Sequence, residues 1–426
     1  MSTAKVRAFL EKYGMEPEQI VPARDAAAMC EEMERGLAGL GGSLQMIPTY
    51  LSGHGRIPQN EPVAVIDAGG TNYRRALVTF EEGTYREEFV RKWKMPGVER
   101  PVTWEDFVSF AADSLMDIID KTDRIGFCFS YSAEITPEMD GRVIAIDKEV
   151  VVTGCEGKLL GASLIAELER RGHGGKKVVI LNDTVAVLLG GSSLLDRDAY
   201  DGFVGQVSGT GTNTCCSLPA NRIGKLHTDS ERSMIINLES GMYGGMKKGR
   251  FDRLLDEESH NPGQKAFEKM TAGVYLGELV HLMLKGASGE GLLSKLAAEK
   301  VEGLQRLDSA VIDAWACGEH LDQVCGDAED EAFVQELCRA VFERSARCMC
   351  TNLAAILLLT GEGKDPQRPA CICAEGSLVQ KGRVYRPLLQ QLIREQIQES
   401  LGRYTVLKVG QETTLPGSAA AALLNL

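Results

Sequence analysis

The chain has 426 residues and carries 47 Lys plus Arg against 60 Asp plus Glu, a formal net charge of −13. That balance argues against a nucleic-acid polyanion as the main partner. With 44% hydrophobic and 25% charged residues the composition is globular, and the length suits two or three domains.

The first residues carry Lys5, Arg7, Glu11 and Lys12 and lack the apolar core of an export signal, so a cytoplasmic location is expected. Met29, Met33, Leu37 and Leu40 recur at helical spacing among Glu31, Glu32 and Glu34, which predicts an amphipathic helix ending in the glycines at 39–42. The apolar run 63–66 leads into Asp67-Ala-Gly-Gly-Thr-Asn72 and a second strand-like run at 75–80. Phe107, Phe110, Ala111, Leu115, Ile118 and Ile119 give a helix opened by Thr103, and strands follow at 125–129 and 178–181. The second of these runs into Asn182-Asp183-Thr184 and an apolar helix to about residue 195. The acidic stretch 196–201 reads as a crossing between domains, after which a strand to Val207, the loop Ser208-Gly-Thr-Gly-Thr-Asn213 and another strand repeat the earlier pattern. Helices are expected at 264–285, 305–316, 332–359 and 388–399 and from Gly417, with strands at 370–374 and 405–408. The apolar run 353–359 falls far short of the roughly 20 residues that cross a bilayer. Alternating strands and helices argue for an α/β chain, and the repeated strand, loop, strand pattern fits two related halves that each bring a loop to one cleft. The 12 cysteines include Cys215-Cys216, Cys348-Met-Cys350 and Cys371-Ile-Cys373 but no Cys-x-x-Cys, so buried reduced thiols are expected.

Neither the Gly-x-x-x-x-Gly-Lys-Ser/Thr loop nor a strand followed by Gly-x-Gly-x-x-Gly occurs, which disfavours a Walker-type NTPase and a dinucleotide dehydrogenase. At 67–72 the paired Gly69 and Gly70 remove the Cβ atoms that would keep a phosphate from the backbone N–H groups, while Thr71 and Asn72 add side-chain donors. Asp67 beside them can hold Mg²⁺ through water. The same residues also read as a plain hairpin turn. The loop Gly209, Thr210, Gly211, Thr212 has the same chemistry, and two such loops can grip a polyphosphate from both sides. Ala374-Glu-Gly-Ser377, with Gly376 and Ser377, is a third loop of this type or a structural turn. Asn182 and Asp183 suit a helix N-cap, yet a cap needs only one of them. A carboxylate at a strand's C-terminal end lies where ligands collect in α/β folds, so Asp183 is a candidate general base. Ser130, Lys148, Glu239 and Glu268 are further candidates, although Glu268 by spacing alone suits a solvated helix start.

Taken together, Asp67-Ala-Gly-Gly-Thr-Asn-Tyr-Arg74, Gly126-Phe-Cys-Phe-Ser-Tyr131, Leu181-Asn-Asp-Thr-Val185, Gly209-Thr-Gly-Thr-Asn213, Asn237-Leu-Glu-Ser-Gly241, Asn261-Pro-Gly, Phe267-Glu-Lys-Met270 and Tyr275-Leu-Gly-Glu278 resemble the ordered motifs of the hexokinase family. Met33-Glu-Arg-Gly-Leu37 through Met46-Ile-Pro-Thr49 resembles its N-terminal helix and connector. The match runs from about residue 29 to about 280 and thins towards the C-terminus. It implies a two-lobed actin-like ATPase (ribonuclease H-like) α/β fold, with a cleft between a small and a large domain. It also implies transfer of the ATP γ-phosphate to the 6-hydroxyl of a hexose, with Mg²⁺ as cofactor. By the resemblance Asp183 is the base and Lys148 shares the catalytic work. Ser130, Asp147, Lys148, Asn182, Asp183, Asn213, Glu239 and Glu268 form the sugar set. Asp67, Gly69, Gly70, Thr71, Asn72, Arg74, Thr184, Gly209, Thr210, Gly211, Thr212, Gly376 and Ser377 form the nucleotide set. The small domain is expected at 61–195, joined by the helix 415–426, and the large one at 1–60 and 196–414. ATP and a hexose are the expected partners of a monomer or homodimer that meets neither nucleic acid nor membrane.

Three departures stand out. Asp147 takes the place where the family commonly has Thr before the sugar-binding Lys, bringing a second carboxylate near the sugar and leaving mannose, fructose or an amino sugar as alternatives to glucose. Ser132 replaces a frequent Pro. Thr413-Thr-Leu-Pro-Gly-Ser418 lacks the Lys of the family's nucleotide loop. A catalytically silent sugar sensor would have lost its base or a phosphate loop, and both are present.

Overall fold

The computed structural model describes residues 2–146 and 150–426. A first sheet is built from β1 (Pro62–Gly69), β2 (Asn72–Glu81), β3 (Thr84–Lys94), β4 (Arg124–Phe129) and β5 (Lys177–Leu181), in the spatial order β5-β4-β1-β2-β3. Strands β1 to β3 are antiparallel neighbours, and β4 runs parallel to both β1 and β5. Val63, Ala64, Val65 and Ile66 are all fully buried. A strand covered on both faces needs no polar alternation, which is why β1 reads as a continuous apolar run.

The second sheet uses β6 (Phe203–Ser208), β7 (Thr212–Pro219), β8 (Ser233–Asn237), β9 (Ala370–Glu375) and β10 (Thr405–Val409), ordered β10-β9-β6-β7-β8, with the short strand Ile47–Pro48 outside β8. Strands β6 to β8 are again antiparallel, and β9 lies parallel to β6 and to β10. The two sheets therefore share strand order and direction, and the Gly/Thr loops sit at the same place in each, between β1 and β2 and between β6 and β7.

Four helices place the site: α1 (Asp183–Ser192), α2 (Ala266–Thr271), α3 (Ala328–Thr360) and α4 (Thr414–Asn425). Helix α1 packs on β6, β7 and β9, whereas α4 packs on β1, β4 and β5, and the two helices pack on each other between the sheets. That crossing is close because glycine stands at the contact. A Cβ at Gly417 would overlap the Ala186 carbonyl, one at Gly190 the Thr413 carbonyl, and one at Gly126 of β4 the Ser418 carbonyl. Ala419 to Ala422 are fully buried, so the small-residue composition of α4 reflects its sandwiched position. Helix α3, 33 residues long, is opened by the Asp327 side chain and closed by Gly361 at φ 80°.

Several expected elements are shifted. The helix expected at 264–285 is two, α2 and Gly273–Gly289, separated at Ala272 with extended backbone (φ −85°, ψ 139°). The helix at 305–316 starts only at Ser309, behind the Asp308 cap, and that at 388–399 starts at Tyr385. The C-terminal helix begins at Thr414, ahead of Gly417. The helix Ser2–Tyr13, strand β3, the hairpin Ser132–Ile135 with Gly141–Ala145, and the helix Leu160–Arg170 went unforeseen. Thr103 does cap its helix, with Asp106 N donating to Thr103 Oγ1 at 3.1 Å and Thr103 N to Asp106 Oδ2 at 3.3 Å. Among the described residues no helix is long and apolar enough to cross a membrane. All 12 cysteines are free thiols, buried except for half-buried Cys30 and Cys317.

Candidate active site

Asp67 lies near the end of β1, where Arg74 of β2 donates to its Oδ2 from Nε at 2.9 Å and from an amino nitrogen at 2.7 Å. Register places the two residues directly opposite each other. The chain then turns at Gly70, φ 57°, where a Cβ would meet nothing within 4 Å. Glycine is required there by the backbone conformation, and the absence of a side chain leaves the loop open. Tyr131 donates its hydroxyl to the Gly70 carbonyl, and Thr71 O accepts from Met95 N at 2.9 Å. A Cβ at Gly69 would press on Ser130 Oγ at 2.8 Å, so the end of β4 abuts the loop. Asn72 is exposed beside it.

At the end of β5, Asn182 Oδ1 accepts from Thr184 N at 2.9 Å. Asn182 thus supplies the cap, and Asp183 becomes the first residue of α1 with its carboxylate not spent on capping that helix. Thr184 requires a correction. It is fully buried, its Oγ1 lies 3.3 Å from Asp183 Oδ1, and its carbonyl accepts from Cys215 Sγ at 3.2 Å. It has no surface to offer a nucleotide. Burial pushes the Cys128 thiol well up, and Asp67 and Asp183 push it further, so both carboxylates face this neutral thiol.

Across the cleft, Asn213 Nδ2 donates to Asn237 Oδ1 at 2.8 Å and more weakly to Glu239 Oε1 at 3.4 Å, while Asn237 Nδ2 donates to the same Glu239 oxygen at 2.7 Å. Asn213 Oδ1 accepts from Thr214 N at 2.8 Å and Ser240 N at 3.2 Å. Glu239 adopts the left-handed conformation (φ 54°, ψ 47°), an unfavourable one for a non-glycine residue that turns its side chain into this network. Burial raises the Glu239 pKa, the Asn237 amide opposes the rise, and Asp183 and Glu268 add to it. Three of the expected sugar-set carboxylates therefore share one neighbourhood. Glu268 on α2 accepts from Thr212 N at 3.2 Å and pairs with Lys265 at 3.5 Å. It is tied into the second loop, not a solvated helix start. In that loop Gly209 N donates to Gly211 O at 3.0 Å, and Thr210 is exposed at the tip.

The third loop packs on the second. Gly376 sits at φ 116°, where a Cβ would overlap the Ser208 carbonyl, and a Cβ at Gly209 would lie 3.2 Å from Ser377 N. Glu375 accepts from Thr413 N at 3.0 Å and also from the Thr413 hydroxyl, which ties the turn before α4 to this loop. Glu412 in that turn lies 3.6 Å from Arg74, completing a chain of contacts back to Asp67. Asp147 and Lys148 lie outside the described residues.

Two sequence models of the family described as hexokinase match this chain, one over residues 5–193 and the other over 203–424. The chain belongs to the hexokinase family. Hexokinase-1 of Oryza sativa subsp. japonica is 29% identical over 94% of this chain and 87% of its own length, and hexokinase-7 of the same species 28% over 93% and 92%. The solved hexokinase from Schistosoma mansoni complexed with glucose superposes with a TM-score of 0.79 at 21% identity, covering 99% of both chains, which establishes the two-domain hexokinase fold. Within this hexokinase-family site, the candidate list drawn from sequence left out Asn237, Glu375 and Thr413. Asn237 stood in a recognised motif, but nothing in a sequence says that it bridges Asn213 and Glu239. Glu375 and Thr413 are 38 residues apart and are joined only by the fold.

Among the described residues no cluster of three or more His, Cys, Asp or Glu side chains could hold a metal ion. The Asp67 carboxylate beside the first Gly/Thr loop suits Mg²⁺, which keeps most of its waters and takes one or two carboxylates together with substrate phosphates.

Proposed function

We propose that this hexokinase-family chain transfers the γ-phosphate of ATP to the 6-hydroxyl of a hexose, glucose in the first place. The observation that carries the reading is the position of Asp183. It heads α1 at the end of β5, on the same edge of the first sheet as Asp67 near the end of β1 and Ser130 just after β4, since these three strands run parallel.

In this mechanism Asn182, Asn213, Glu239 and Glu268, with Ser130 and Lys148, pair the hydroxyls of the sugar. Each hydroxyl both donates and accepts, so a site of amides and carboxylates rejects analogues that leave a buried partner unpaired. Asp183 accepts the proton of the attacking hydroxyl, a step worth roughly 10²–10⁴ in rate. The loops at 69–72, 209–212 and 376–377 hold the polyphosphate through backbone N–H groups, and Arg74 adds a fixed positive charge. Mg²⁺, which Asp67 would hold through its waters, would neutralise phosphate charge. The division into a small domain, 61–195 with 415–426, and a large domain formed by the rest belongs to the same proposal. Closure of the two about the glycine-lined α1–α4 crossing would keep water from competing with the sugar.

A coupled ADP-release assay over glucose, mannose, fructose and glucosamine tests the reading. Turnover with glucose at the highest kcat/KM is expected, and absence of turnover with every hexose would overturn it. Asp147 favours a second version in which another hexose leads, and a reversed ranking in that panel would select it.

A further inference from the structure

Beneath the second phosphate loop the core is polar. Gln206 and Ser208 on β6 stand opposite Thr214 and Thr212 on β7. Their exposures are 0%, 0%, 0% and 4%, and Val204 on the same face of β6 belongs to the large hydrophobic core that also contains Tyr385. Polar groups held this deep lower stability unless they are paired. Gln206 Nε2 donates to Ser208 Oγ at 2.9 Å, while Gln206 Oε1 and Thr214 Oγ1 are buried without a protein partner among the described residues. The hydroxyl of fully buried Tyr385 is likewise without a hydrogen-bond partner among the described residues.

Ser208 is also where two loops meet. It is the last residue of β6 before Gly209, its carbonyl faces the Cα of Gly376, and Gly209 O accepts from Gly273 N at 2.8 Å. Whatever fixes Ser208 thereby fixes both the 209–212 and the 376–377 loops. We propose that Gln206 is a positioning residue for nucleotide phosphates: through its hydrogen bond to Ser208 it holds two phosphate loops in register from inside the core. The proposal rests on the reading of those loops as the polyphosphate site. A buried bond between neutral groups suits the task, because neither side chain has water to turn to in its place.

The experiment uses the full chain with Gln206→Met and Ser208→Ala, singly and together, measuring KM for ATP, KM for the hexose and kcat beside thermal melting. Each single variant is expected to raise KM for ATP threefold to tenfold and to leave KM for the hexose within twofold. The double variant should be no worse than the poorer single one, since both remove the same bond. KM for ATP within twofold of the parent in a variant that melts cooperatively would overturn the proposal. So would a fall in kcat with both KM values unchanged, the signature of lost folded protein. If one variant does not fold, the other decides. A parent protein that turns over no nucleoside triphosphate would instead remove the phosphate-site reading, and the inference with it.

Discussion

In the first lobe the Gly/Thr loop is braced by charge: Arg74 holds Asp67 with two hydrogen bonds, reaches on to Glu412, and is partly exposed. In the second lobe the equivalent loop is braced from within, by the buried amide of Gln206 on Ser208 and by Glu268 on Thr212 N. The starts of the corresponding first strands differ too. Glu61 before β1 pairs with Arg124 of β4, whereas Gly202 before β6 is covered by the buried carboxyl of Glu362. One topology thus holds its two Gly/Thr loops in two ways, by a partly exposed ion pair in the first lobe and by a buried amide together with the Glu268 carboxylate in the second, and the two should respond differently to substitution and to pH.

The largest expected effect lies where the lobes join. Gly417→Ala places a Cβ on the Ala186 carbonyl, and because backbone must move, a loss of about 3 kcal/mol is expected, read as a lower melting temperature. A melting temperature within a degree or two of the parent would show that the α1–α4 crossing can open without cost. Next comes the charged brace. Arg74→Ala leaves Asp67 without its partner, and a loss of about 1.5–3 kcal/mol corresponds to roughly 10–100-fold in kcat/KM for ATP. An effect on hexose KM alone would place Arg74 outside the nucleotide site.

The smallest effect is pH-dependent. Burial raises the Glu362 pKa to about 8, with Asp201 adding to it and the Thr360 hydrogen bond opposing it. In the folded protein the group keeps its proton to about pH 8, while in the unfolded chain it loses it near 4.5. Its contribution is therefore fully present below about 4.5 and is lost progressively as pH rises towards 8. Glu362→Gln, which cannot ionise, should gain melting temperature relative to the parent as pH rises through that window. A difference that stays constant would mean the carboxyl is ionised throughout.

Much of the candidate site is legible in the sequence because its residues are local: Asp67 to Arg74, Asn182-Asp183 and Gly209 to Asn213 are each one short stretch at a strand end. The repeat of strand, loop and strand, weak as a sequence signal, is matched by the shared strand order of the two sheets. What stayed hidden depends on contacts across the fold. Strand β3 alternates poorly, since Arg86, Glu87, Glu88, Arg91 and Lys92 put charge on both faces of an edge strand. Thr184 and Gln206 are both fully buried, and burial of a single polar residue inside a strand or at a helix start leaves no mark in the sequence.

In the proposed mechanism Asp183 takes the proton of the sugar hydroxyl during phosphoryl transfer. The direct measurement compares the parent with Asp183→Ala in the coupled ADP-release assay at saturating glucose and MgATP, alongside glucose affinity by calorimetry. kcat is expected to fall by roughly 10²–10⁴ with the melting temperature kept, and glucose affinity, to which Asp183 also contributes one hydrogen bond, to fall far less than kcat. A kcat within threefold of the parent would contradict it.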